Sequence, residues 1–208
     1  MAHRNTGGPD LSAPHNPDDM HQTHRGRTIC VFCGSSPGHD PAYAEAAREL
    51  GRLIGENGCR LVFGGGNVGL MGEVARAVRD AGGMVIGVLP SFLRGIEPPL
   101  KSAEELIVTP DLQLRKSRML ALADAFVILP GGLGTLDEYF EVITTTQLRV
   151  HAKPIVVVNT ANYYALLKDL LDHVVAQGFA QEEIKSHHVF VSTPREAMET
   201  IDTLLHNR

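Results

Sequence analysis

The chain lacks any stretch of about 20 consecutive apolar residues, the length that a membrane-spanning helix requires. Its first residues also lack the apolar segment of a secretory signal. A cytoplasmic protein without membrane partners is expected. Cysteine is scarce: three residues, an odd number, suit a reducing compartment better than a disulfide framework. Cys30 and Cys33 form a C-x-x-C, but within Thr28-Ile29-Cys30-Val31-Phe32-Cys33, which reads as a buried strand. Reactive pairs sit at helix starts, so inert core thiols are expected. Basic runs are missing as well. With 19 Lys and Arg against 24 Asp and Glu the net charge is −5, which argues against a nucleic-acid polymer as partner, because neutralising phosphates takes clustered cations. A single nucleotide stays open as a ligand. Metal-site spacing is absent among His3, His15, His21 and His24 and in the adjacent pair His187-His188, so no metal is expected.

What is present is a chain of 208 residues, enough for one domain that buries roughly 70% of the surface it would otherwise expose. Residues 1–26 are rich in His, Pro, Asp, Asn and Gly without apolar periodicity, and a disordered N-terminal arm is expected there. From residue 27 to 208 strand and helix signals alternate. The pattern predicts strands over Thr28–Cys33, Arg60–Phe63, Met84–Leu89, Glu105–Val108, Ala125–Leu129, Pro154–Asn159 and Val189–Val191. It predicts helices over Pro41–Glu56, Val68–Ala81, Leu112–Ala123, Leu136–Leu148, Tyr163–Gln177 and Pro194–Leu205, with a Pro-broken loop through Leu100. Ile155-Val156-Val157-Val158 is apolar throughout instead of alternating, which implies burial on both faces. The fold class is therefore α/β, a single Rossmann-like domain with a doubly wound parallel sheet flanked by helices.

Three glycine-bearing turns follow strand ends, and in this architecture all three should face one crevice. They are Cys33-Gly34-Ser35-Ser36-Pro37-Gly38, Gly64-Gly65-Gly66-Asn67-Val68-Gly69-Leu70-Met71-Gly72 and Pro130-Gly131-Gly132-Leu133-Gly134-Thr135-Leu136-Asp137-Glu138. Gly64, Gly66 and Gly69 satisfy G-x-G-x-x-G, but a dinucleotide site expects that fingerprint at the first strand and a carboxylate near the end of the next. Met84-Val85-Ile86-Gly87-Val88-Leu89-Pro90 has none. Gly69 and Gly72 read equally well as permitting close helix packing.

The third turn is expected to cradle an anion, its glycines adopting backbone angles closed to other residues and turning N–H groups inward at a helix start. Glu138 stands one turn inside that helix, a placement that helps if the ligand becomes cationic during reaction, as a ribosyl group does when its base departs. A competing structural reading exists. Thr135-Leu136-Asp137-Glu138 fits the T-x-x-E capping box, in which the Thr and Glu side chains satisfy free N–H groups at a helix start. The cations Arg115, Lys116 and Arg118 on the preceding helix read either as part of a site or as an exposed face.

The pair Arg115-Lys116 followed by Pro130-Gly131-Gly132-Leu133-Gly134-Thr135-Leu136-Asp137-Glu138 resembles the P-G-G-x-G-T-x-x-E signature of the Lonely-guy family, the cytokinin riboside 5′-monophosphate phosphoribohydrolases often labelled lysine decarboxylases. The likeness runs from about Thr28 to the C-terminus. It implies a hydrolase that cuts the N-glycosidic bond of a nucleoside 5′-monophosphate, cytokinin-type or AMP-like, without cofactor. It implies Arg115 and Glu138 as the catalytic pair. Around the substrate it places Glu97, Lys116, Gly131, Gly132, Leu133, Gly134, Thr135, Leu136, Asp137 and Thr144. It further implies a homodimer with Leu136, Phe140 and Ile143 near the interface, although their spacing reads first as a stripe facing the chain's own core. One departure stands out: Leu112-Gln113 occupies the place of Met-His, removing a titratable group and leaving the preferred base open. The alternative is a nucleotide carrier or sensor, which would need the glycine turns without Glu138. A decarboxylase would need pyridoxal phosphate on a lysine, and no Schiff-base site is recognisable.

Overall fold

The structure, a computed structural model, describes residues 26–95 and 105–206. The arm expected over residues 1–26 lies outside the described residues except for Gly26, and Glu97 lies outside them too. Strands β1 (Thr28–Phe32), β2 (Arg60–Phe63), β3 (Met84–Pro90), β4 (Glu105–Thr109), β5 (Ala125–Ile128), β6 (Ile155–Val158) and β7 (Val189–Val191) form one sheet in the order 4-3-2-1-5-6-7. Every pairing is parallel; across the centre Cys30 stands beside Phe126 and Phe32 beside Ile128. Helices α1 (Pro41–Glu56), α2 (Gly69–Asp80), α3 (Leu112–Leu122), α4 (Leu133–Gln147), α5 (Ala165–Ala176) and α6 (Pro194–His206) cover both faces.

Alternation along β1 distributes the core between two layers. Ile29 and Val31 join Leu50, Ile54, Val74 and Ile201 from α1, α2 and α6. Cys30 and Phe32 join Met119, Tyr139, Val142 and Leu167 from α3, α4 and α5. Such side chains stabilise the fold by about 1.5–3 kcal/mol each when fully buried, so the wholly apolar central strands need a helix on each face. Among the described residues no helix is long and apolar enough to cross a membrane.

Local chemistry sets the helix starts. Asp40 accepts from the Ala42 N–H at 2.9 Å, with Pro41 opening α1. Asp111 accepts from the Leu114 N–H at 2.7 Å at the start of α3. At the start of α2 Gly69 has φ +55°, and a Cβ there would run into the Ser35–Ser36 backbone, so this glycine lets the turn after β1 approach the helix start, while a Cβ on Gly72 would meet Asn67 O and the Arg76 side chain; neither contact is with the sheet.

Candidate active site

The strand order reverses between β1 and β5, and a crevice opens there beyond the carboxyl ends of the strands, the usual ligand position in such sheets. It holds a cavity of about 170 Å³ lined by all three glycine turns: Cys33 and Ser35 after β1, Gly64 after β2, and Gly132 to Thr135 at the start of α4. Arg115 from α3 and Glu138 from α4 complete it.

Helix α4 begins three residues earlier than expected, at Leu133, with Gly132 as its N-cap and no side-chain cap bond. Thr135 is therefore inside the first turn and Glu138 in the second, so the T-x-x-E does not act as a capping box. The Leu136 N–H reaches Gly132 O at 3.1 Å. The amides of Leu133, Gly134 and Thr135 come before that bond, as free N–H donors of a helix start beside the cavity those residues line.

The loop glycines differ from expectation in a second way. Positive φ angles occur at other glycines but not at Gly131, Gly132 or Gly134, and Gly132 is extended with φ −90°. Small size is what the loop uses. A Cβ on Gly131 would collide with the Thr135 hydroxyl, whereas one on Gly132 or Gly134 would meet nothing within 4 Å and stand in open space.

Arg115 and Glu138 form the charged heart of the cavity. The Arg115 Nε donates to Val88 O at 3.0 Å, and its Nη1 lies 3.3 Å from Glu138 Oε1. Gly64 makes room for this guanidinium, since a Cβ there would run into Nη2. Glu138 is only 7% exposed. Burial pushes its carboxyl up to about 7, against the pull of the Arg115 guanidinium and helped by the neighbouring charge of Asp137. Cys33 shares the cavity wall, and burial holds its thiol neutral, as it does that of Cys30. The C-x-x-C is thus buried and unreactive in character.

The residues assigned by resemblance divide in space. Arg115, Gly132, Leu133, Gly134, Thr135 and Glu138 converge on the cavity, while Gly131 lines a hollow beside it with Tyr43 and Tyr163. Lys116 faces elsewhere: its Nζ is 2.9 Å from Asp137 Oδ2 and 2.6 Å from Glu141 Oε2, tying α3 to α4. Burial disfavours its charge, yet hydrogen bonds to Glu141 and Asp137 raise its pKa overall. Leu136 packs on the core, and Asp137 and Thr144 do not reach the cavity. Of the helix face expected either at an interface or in the core, Ile143 is core, Leu136 packs against it, and Phe140 is 38% exposed. Sequence reading missed Gly64 as the seat of Arg115 and Val88 as its anchor; neither contact has a sequence signature, because each joins segments far apart.

The family described as "possible lysine decarboxylase" matches residues 71–201. A "probable cytokinin riboside 5′-monophosphate phosphoribohydrolase" of Oryza sativa subsp. japonica is 47% identical over 175 residues, covering 84% of this chain and 76% of that protein. A cytokinin riboside 5′-monophosphate phosphoribohydrolase of Arabidopsis thaliana is 44% identical over 170 residues, covering 82% of this chain and 77% of its own length. The chain belongs to the Lonely-guy family. Among solved structures, the molybdenum cofactor binding protein of Rippkaea orientalis superposes with a TM-score of 0.69 at 25% identity, covering 87% of this Lonely-guy chain and 98% of that one. A molybdenum cofactor carrier protein from Chlamydomonas reinhardtii gives a TM-score of 0.64 at 21% identity, over 88% and 99% of the two chains, and shares the fold. Among the described residues no lysine lines this Lonely-guy cavity, where a decarboxylase would need one to carry an aldehyde cofactor.

Proposed function

We propose that the chain is a hydrolase that cleaves the N-glycosidic bond of nucleoside 5′-monophosphates, releasing the free base and ribose 5-phosphate. The observation that carries this reading is the buried Glu138 carboxylate 3.3 Å from the Arg115 guanidinium, in a cavity that opens on the uncapped start of α4. The names of the Oryza and Arabidopsis relatives describe this reaction on cytokinin riboside monophosphates.

In this reading the 5′-phosphate lies against the amides of Leu133, Gly134 and Thr135. The helix dipole alone contributes roughly 0.3–2 kcal/mol, and direct charge-assisted hydrogen bonds supply the rest. As the C1′–N bond lengthens, the sugar gains oxocarbenium character and Glu138 stabilises it. Water then forms the new C1′–O bond and loses its proton to Glu138, while the bonding pair leaves with the base, whose nitrogen takes a proton from solvent water; Glu138 returns its proton to solvent to close the cycle. A carboxyl titrating near 7 suits such a base at neutral pH. Arg115, held by Val88 O, keeps part of the Glu138 population ionised and offers its remaining N–H groups to the substrate. Lys116 and Asp137 act from behind the cavity wall by tying α3 to α4, and Leu136 by packing on the core.

A carrier or sensor of nucleotides would use the same loops. Binding alone gains nothing from a buried carboxylate beside an anion site, where like charges repel, and this favours the enzyme. Leu112-Gln113 at the start of α3 offers no titratable group toward the base, so AMP-type substrates are expected alongside cytokinin-type ones. Incubation with a panel of nucleoside monophosphates, including isopentenyl-adenosine monophosphate, followed by chromatography of the freed bases, tests the assignment. Release of base by Glu138→Gln at the wild-type rate would sink it.

We further propose a cytoplasmic homodimer. Leu133, Phe140, Leu148 and Val150 leave a run of exposed apolar side chains along α4 and just past it, the type of surface that marks an interface. Light scattering reads the mass directly: Phe140→Glu should shift a dimer toward monomer, and a monomeric wild type contradicts the proposal.

A further inference from the structure

The glycine loop is also held from its far side. Strand β6 lies next to β5, and the chain leaves it through Asn159–Tyr164, a turn with two consecutive left-handed non-glycine residues, Ala161 (φ 50°, ψ 30°) and Asn162 (φ 58°). Residues with a Cβ resist this conformation, and persistent strain of this type requires surroundings that impose it. Here Asn159 imposes it. Its backbone N–H donates to Val191 O at 2.8 Å, its Oδ1 accepts from the Tyr164 N–H at 2.7 Å, and its Nδ2 donates to Asn162 Oδ1 at 3.1 Å.

The result is that two neighbouring tyrosines reach the residues leading into α4. The buried Tyr164 hydroxyl donates to Leu129 O at 2.7 Å, and the Tyr163 hydroxyl donates to Gly131 O at 2.6 Å. Between them Pro130 O accepts from the Gly34 N–H at 3.0 Å. Three successive carbonyls, of Leu129, Pro130 and Gly131, are thus each taken by a donor from outside the loop. The third matters most for binding. A trans peptide is rigid, with its C=O and N–H opposed, so fixing Gly131 O on the Tyr163 hydroxyl turns the Gly132 N–H away from that ring, at a residue that lines both the hollow and the cavity. Two adjacent glycines would otherwise let that plane rotate.

We infer that Tyr163 is a positioning residue for anion binding: its hydroxyl locks the Gly131–Gly132 peptide plane so that the Gly132 N–H joins the amides of α4 around the substrate's phosphate. This rests on the proposed reading of the cavity as a 5′-phosphate site. Tyr163 touches the rings of Tyr43 and Tyr164 edge-on, with centroids 5.6 and 4.9 Å away, and a phenylalanine keeps both contacts while deleting only the hydroxyl.

The test compares wild type with Tyr163→Phe in three measurements: calorimetric Kd for ribose 5-phosphate, steady-state kinetics on the nucleoside monophosphate that the wild type turns over, and Tm. Loss of one hydrogen bond should raise Kd and KM roughly 3–10-fold. Both kcat and Tm should stay at wild-type values, a split that a merely structural tyrosine would not produce. Unchanged Kd and KM in the variant, with a wild type that binds ribose 5-phosphate, overturn the role of Tyr163 and leave the site reading intact. A wild type that neither binds ribose 5-phosphate nor releases base overturns the site reading, and the inference falls with it.

Discussion

Replacing Glu138 with glutamine should stabilise the protein at alkaline pH while abolishing turnover. The carboxyl titrates in the folded protein at about 7, against an ordinary value of 4.5, with burial as the main cause. A folded-state value raised in this way means that the folded protein holds the proton more tightly than the unfolded chain does. Stability contributed by the protonated group is therefore complete below 4.5 and is lost as pH climbs through about 7. At about 1.4 kcal/mol per pH unit, the full loss is about 3 kcal/mol. Glutamine mimics the neutral carboxyl at every pH. Wild type and Glu138→Gln should therefore unfold alike near pH 4, and the variant should gain up to about 3 kcal/mol by pH 8.5. For a chain of this length that is a Tm difference of roughly 6–12 °C. The Arg115 partnership is already contained in this figure, because protonation of Glu138 leaves the guanidinium facing a neutral group just as the substitution does. Thermal unfolding across pH 4 to 8.5, monitored by circular dichroism, gives the comparison. A capping role for Glu138 predicts the opposite sign, a loss of about 0.5–2 kcal/mol with activity retained. That outcome would refute the reasoning.

Three more outcomes follow from the same geometry. Because Glu138 acts as the ionised carboxylate, kcat/KM should rise with pH along an acid limb centred near 7 and then level off; a profile flat between pH 5 and 8 contradicts the role. Gly132→Ala places a methyl in open space at an extended backbone, so stability should change by no more than about 0.5 kcal/mol while KM rises at least about 10-fold, and unaltered kinetics would mean that the substrate does not approach Gly132. Gly64→Ala forces the flexible end of Arg115 aside, and kcat/KM should drop on the order of 100-fold with the acid limb moved upward as Glu138 loses its cation; wild-type kinetics would show that Arg115 is not needed where it stands.

Much of this protein was legible before the structure, for reasons that can be named. Apolar periodicity is a local signal, and the expected α1 at Pro41–Glu56 and β2 at Arg60–Phe63 match the structure with no shift of boundary. That the three glycine turns share one crevice follows from parallel topology, and they do share it. The misreadings have physical causes. The T-x-x-E pattern at Thr135 points to a helix start at Leu136, but α4 begins at Leu133 behind an N-cap glycine, which makes no side-chain cap bond and carries no capping signal. The glycine pattern predicts positive φ in this loop, whereas none of the three has it; closeness to Thr135 requires Gly131, and Gly132 and Gly134 face open space. Short 3-10 turns, such as those at Ser91–Gly95 and Glu182–Ser186, are too brief for periodicity to show. Lys116 was expected on the substrate side, but its partners Asp137 and Glu141 belong to another helix, and only the packing of α3 on α4 brings them together.

The central claim is that this Lonely-guy chain cuts the bond between base and ribose in nucleotides that carry a 5′-phosphate. One chromatographic measurement meets it head on: AMP and isopentenyl-adenosine monophosphate, each beside its unphosphorylated nucleoside, incubated with the purified protein and assayed for free base and ribose 5-phosphate. The account predicts base and ribose 5-phosphate in equal amounts from the monophosphates and neither product from the nucleosides. Equal turnover of the nucleosides, or release of phosphate in place of base, would contradict it.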